Sequence, residues 1–219
     1  TRDGGETWSA RSSGMKACYM PPERQDDPNV QDVHRVVSCP APPETMWVQH
    51  HCGMYRSTDF GSSWQEIKTA ALSGFGFAVA VHPKDPDTAW FVPAVKDENR
   101  VPVNAQLAVT RTRDGGRSFE ALREGLPSPS YDLVYRHGLA VDGAGERLAI
   151  GSTTAGGPLE VHLAGLEVQS VELRDDALSD APGYARPRAR DVERQRSRTG
   201  QGARRVQPDP VVGELAMRE

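Results

Sequence analysis

An eight-residue pattern occurs three times in the first 119 residues, and a chain that repeats itself at this spacing is built from copies of one supersecondary unit. Thr1-Arg2-Asp3-Gly4-Gly5-Glu6-Thr7-Trp8 aligns with Ser57-Thr58-Asp59-Phe60-Gly61-Ser62-Ser63-Trp64, and both align with Thr112-Arg113-Asp114-Gly115-Gly116-Arg117-Ser118-Phe119. The shared form is Ser/Thr-x-Asp-x-Gly-x-Ser/Thr-aromatic. Asp3, Asp59 and Asp114 follow one another at 56 and then 55 residues, room for four short strands with generous loops. Each residue type has a task in a tight turn. The carboxylate accepts from backbone N–H groups, and Gly5, Gly61 and Gly116 can take a positive φ. The hydroxyl closes the turn, and Trp8, Trp64 or Phe119 anchors it on the sheet.

The stretches between the turns read as strands. Val33–Ser38, Thr45–Gln49, Gly53–Ser57 and Trp64–Ile67 make one unit, with a Pro-rich turn at Pro40–Pro43. Ala78–Val81, Ala89–Val92, Leu107–Arg111 and Ser118–Leu122 make a second, and Gly138–Val141 with Arg147–Ser152 opens a third. No long helical periodicity competes with this pattern. The expectation is an all-β chain: a β-propeller fragment of about three four-stranded blades over residues 1–157.

A fourth copy of the turn is due near residues 161–168, where only Gly165 keeps the pattern. Residues 158–219 are therefore expected to be a degraded blade followed by an Arg-, Ala- and Gly-rich tail. Two readings of that tail stand side by side, a disordered mixed-charge linker and a reading-frame error in a GC-rich gene. Because Thr1 already lies inside a motif, the sequence reads as a fragment lacking its own N-terminus. Its compartment is open, with the cytoplasm slightly favoured.

Composition removes several function classes. With a net charge of −4 and mixed signs along the chain there is no basic footprint for nucleic acid, and no apolar run approaches the length of a membrane span. Cys18, Cys39 and Cys52 form no C-x-x-C pair and are expected to be thiols. No cofactor is expected. No metal is expected either, since neighbours such as His50 and His51 on a strand point to opposite faces.

The three turns resemble the Asp-box, or BNR repeat, which joins the third and fourth strands of a blade in sialidases, sortilin-like receptors, some xyloglucan hydrolases and photosystem assembly factors. The runs Asp32-Val33-His34-Arg35, Gly53-Met54-Tyr55-Arg56-Ser57, Phe77-Ala78-Val79-Ala80-Val81-His82-Pro83 and Tyr135-Arg136-His137-Gly138-Leu139 look like bacterial YVTN/BNR-like proteins of the sialidase superfamily. That resemblance implies a fold and no particular activity.

In an up-and-down blade the first-to-second and third-to-fourth turns share one end, so the aspartate turns are structural and ligand-binding loops lie at the other end. That end draws on Lys96, Asp97, Glu98 and Arg100 of the long Pro93–Gln106 connection. It also draws on the first strands, which align His34 with His137 and set Phe77 between them. His34, Arg35, Tyr135, Arg136 and His137 are expected to cluster there, either as hydrogen-bonded residues lining the channel or as a group that binds an anion or shuttles protons. The leading function is non-catalytic binding or assembly with a protein or carbohydrate partner. The alternative is a sialidase-like or xyloglucanase-like glycoside hydrolase, which needs paired carboxylates.

Overall fold

Alternating apolar residues flanked by turn signals give three antiparallel sheets. The computed structural model describes residues 1, 3–153, 159–162 and 167–170. These lie in the unit Thr1–Leu173, while a second unit, Arg174–Glu219, and the tail expectation attached to it lie outside the described residues. The first sheet runs β1 (Val33–Ser38), β2 (Met46–His50), β3 (Gly53–Ser57), β4 (Gln65–Ile67), paired in sequence order. The second orders β5 (Gly76–Val81), β6 (Ala89–Lys96), β8 (Val109–Thr112) and β9 (Glu120–Leu122) in the same way. Here β7 (Asn99–Pro102) folds back on β6, so the long connection is a hairpin where the sequence suggested a loop.

The third sheet is β10 (Leu139–Val141), β11 (Arg147–Ile150), β12 (Leu159–His162) and β13 (Glu167–Ser170). Strands three and four therefore form although the repeated turn is missing from their sequence. Residues 163–166, which join them, lie outside the described residues.

Period-two alternation explains how the sheets stack, because successive side chains on a strand leave by opposite faces. On β5, Val79 and Val81 join Trp47, Met54, Ala89 and Phe91 in a core between the first and second sheets. Ala78 and Ala80, one residue out of phase, join Trp90, Val92, Leu139, Leu148 and Ile150 between the second and third. Both faces of β5 are thus covered, which is why it reads as an unbroken apolar run.

The segment before β1 covers the first sheet's remaining face. Met15 packs with Val48, Tyr55 and Trp64, and Trp64 donates its backbone N–H to Ser13 and its indole N–H to the carbonyl of Arg11. A disulfide, Cys18–Cys52, ties this segment to the β2–β3 turn, and Cys39 is a buried free thiol. This corrects the expectation of three thiols. Spacing alone hid the pair, since 34 residues separate two cysteines that the strap across the sheet brings together.

Candidate functional site

The three aspartate turns share one hydrogen-bond network. The hydroxyl two residues before each Asp, on Thr1, Ser57 or Thr112, donates to Oδ1 at 2.7–2.9 Å and accepts from the N–H of Gly5, Gly61 or Gly116 at 2.7–2.9 Å. The Oδ1 atom also accepts the N–H of Thr7, Ser63 or Ser118, and Oδ2 accepts that residue's hydroxyl. These donors, the Ser63 and Ser118 hydroxyls foremost, hold Asp59 and Asp114 at a pKa of about 2, and Thr7 holds Asp3 well below the usual carboxylate range. The buried member is the hydroxyl of Ser57 or Thr112, while Asp3 and Asp59 stay exposed and Asp114 is half-buried. Trp64 and Phe119 pack inward, whereas Trp8 is 79% exposed.

These turns sit at the same end as the first-to-second connections. The N–H of Phe60 donates to Glu44, and that of Gly115 to Asp87. A groove of about 810 Å³ runs beside the third turn, but its charges are already engaged. Arg56 pairs with Asp87, Lys68 with Glu66, and Arg117 Nε donates to the Asp114 carbonyl.

At the other end the first strands begin, and two of them begin irregularly. Register shifts between Val33 and Arg35 and between Gly76 and Val79 leave His34 and Phe77 at bulge-like positions. Bulges re-aim a side chain. Here they stack His34 on Phe77, with ring centroids 4.4 Å apart. Tyr135 lies 5.0 Å from Phe77, its ring tilted by 32°. The Arg100 and Arg136 guanidiniums stand 5.3 and 5.9 Å from the Phe77 ring, and Arg136 also lies 4.7 Å over Tyr135. Three blades thus contribute one aromatic row topped by two cations.

The row places Tyr135, not His137, level with His34. Backbone bonds fix the equivalence: His51 donates to Asp32, Ala94 to Phe75 and Thr153 to Leu133, and two residues beyond each acceptor come His34, Phe77 and Tyr135. A turn closed by the Gly138 N–H on Tyr135 adds the residues that displace His137, which is exposed. Arg35 is not one of the cations over the row, and its Nε and Nη1 are buried without a hydrogen-bond partner. Asp97 is held by Arg100, and Lys96 lies 3.6 Å from Glu98 on the hairpin tip.

Beside the row stands a group that sequence reasoning passed over. Asp32 Oδ2 lies 3.7 Å from His34 Nε2 and 3.3 Å from His51 Nδ1. His50 and His51 do diverge. His50 is fully buried against Tyr55, its Nδ1 accepting from the Cys52 N–H, and burial drives its pKa down to about 4. His51 lies past the strand end and turns back to Asp32. Burial also lowers the pKa of His34. Asp32 and His34, two apart at the start of a strand, were the available signal.

Sheets paired in sequence order and stacked through shared cores define the chain as part of a β-propeller. Among solved structures, the GH74 xyloglucanase from Xanthomonas campestris is similar, with a TM-score of 0.50 and 24% identity over 68% of this chain and 22% of that one. An ancestral GH74 enzyme is similar at 0.48 and 21%, over 67% and 19%, and a YCF48 structure bound to D1 peptide at 0.48 and 20%, over 78% and 46%. This chain therefore spans 19–22% of those GH74 structures and 46% of the YCF48 structure, and the likeness is one of fold. No family model and no curated protein matches the chain. Among the described residues, no helix is long and apolar enough to cross a membrane.

Proposed function

We propose that this chain belongs to a non-catalytic binding propeller of the Asp-box type, whose aspartate turns hold the blades and whose opposite end takes a carboxylate-bearing ligand. The observation that carries this reading is the row His34, Phe77, Tyr135 with Arg100 and Arg136 over it. Guanidinium groups offer forked donors that match a carboxylate. Arg100 gives its Nε and Nη2 to Asp97 and Arg136 its Nη1 to Tyr135, so a ligand is met by the N–H groups that remain or takes the place of Asp97. Tyr135 is 41% exposed, so the row reaches solvent. A carboxylated sugar and an acidic protein segment both supply the chemistry. The Cys18–Cys52 bridge favours an oxidising compartment over the cytoplasm.

The glycoside-hydrolase alternative rests on the fold shared with the Xanthomonas campestris enzyme. It requires two carboxylates facing each other across a substrate, whereas Asp97 is paired with Arg100 and Glu98 approaches Lys96. The binding reading is tested by fluorescence anisotropy with a labelled oligogalacturonide and a labelled Asp/Glu-rich peptide. At least one probe binds, and Arg100→Ala and Arg136→Ala each weaken it about tenfold, or about 1.4 kcal/mol. Unchanged affinity in both variants, or hydrolysis of xyloglucan oligosaccharides by the wild type, overturns it.

A further inference from the structure

We propose that Asp32, His34 and His51 form a binding site for a divalent transition-metal cation of the zinc type. One ligand atom from each residue lies within 4.8 Å of the others. Zinc ligands bound tetrahedrally at about 2.0–2.1 Å stand about 3.3 Å apart. The 3.3 Å between His51 Nδ1 and Asp32 Oδ2 meets that spacing, the 3.7 Å to His34 Nε2 needs a shift of a few tenths of an ångström, and the two imidazole nitrogens, within 4.8 Å of each other, close on the ion by a turn of the more exposed His51 ring.

The protons give the stronger argument. His34 Nδ1 lies 2.6 Å from the Gly76 carbonyl, which can only accept, so Nδ1 carries the hydrogen. In the neutral ring Nε2 is then a bare lone pair, and it faces a carboxylate that is also only an acceptor. Such a pair is bridged by a proton on Nε2 or by a metal ion, and the second imidazole, 3.3 Å from the same carboxylate oxygen, is the ligand that a metal ion would use. A backbone carbonyl on the far nitrogen is also the partner that orients metal-binding histidines and selects their tautomer.

The surroundings are built to hold the group. The His51 N–H donates to the Asp32 carbonyl at 2.9 Å, and the His51 ring is set edge-on against Tyr19 and Phe75. The disulfide at Cys52 fastens the next residue, and the register shift at His34 aims its ring inward. The Asp32 side chain is 49% exposed and that of His51 21%, so an ion can enter and keep a position open to water or ligand. Two imidazoles with one carboxylate suit zinc, cobalt, nickel or copper better than magnesium or calcium. The site stands independently of the anion-binding reading.

The test is calorimetric titration of the full chain, untagged, stripped with EDTA and kept free of reductant, with zinc chloride. One Zn²⁺ per chain binds with a Kd of about 1 μM or tighter. Asp32→Asn and His51→Gln, at accessible positions, each weaken uptake at least about tenfold. His82→Gln and His137→Gln leave it unchanged. Added Co²⁺ gives visible ligand-field absorption that the Asp32 and His51 variants lack. No uptake by the wild type, undiminished uptake in either of those variants, or loss in the His82 or His137 variants instead, overturns the proposal.

Discussion

Asp59 collects two hydroxyl donors and one backbone N–H, and Asp114 two hydroxyl donors and two backbone N–H groups, which makes these turns depend on charge. A carboxyl whose pKa is lower in the folded chain stabilises it above the unfolded value and loses that contribution as pH falls toward the folded one. For these two residues the window runs from 3.8 down to about 2. His50 acts in a separate, earlier window. It stays neutral when folded, so its contribution is lost between 6.5 and about 4, where only the unfolded chain takes up the proton. An Asp59→Asn/Asp114→Asn protein should therefore melt lower than wild type at pH 7 and match its decline from pH 6.5 to 4. Below pH 4 it should lose less. Melting curves at pH 7, 4 and 2 check this, and a difference between the two proteins that stays constant down to pH 2 would refute it. These turns were legible in the sequence because their chemistry is local: every partner of Asp59 lies within four residues of it. The Asp32 group was not, because His51 reaches it only across the β1–β2 pairing.

At the scale of elements, strand order and the phase of alternation were readable from β-branched runs and turn residues, as β5 shows with valines to one core and alanines to the other. Two features escaped. The Tyr135–Gly138 turn shifts the third first strand by two residues, an insertion that leaves no compositional mark, so Tyr135 stands where His137 was expected. The strap before β1 carries no strand pattern, and its disulfide depends on where the strap crosses the sheet. Opening that bridge frees a loop of 34 residues in the unfolded chain. A Cys18→Ser/Cys52→Ser protein should lose on the order of 2–4 kcal/mol in denaturant unfolding. Thiol titration of the wild type, denatured without reductant, should find one thiol, that of Cys39. Three thiols, with no change in stability on substitution, would mean that the strap is held by packing alone.

Across the described blades the two ends differ in what they present. One end carries repeated turns whose hydrogen bonds are satisfied locally, with Arg56 and Lys68 beside them paired. The other gathers His34, Phe77, Tyr135, Arg100 and Arg136 from three blades. Topology made the division foreseeable, since strand direction alone sends the turns and the strand starts to opposite ends. Which ligand the proposed site would take was not foreseeable, because a fold that serves many functions leaves specificity to a few side chains. Hydrogen–deuterium exchange of the full chain with a saturating Asp/Glu-rich peptide or oligogalacturonide tests the division directly. Slowed exchange is expected in residues 94–102 and 133–138, with residues 57–64 and 112–119 unchanged. Protection of the two aspartate turns, with none at Arg100 or Tyr135, would contradict this expectation.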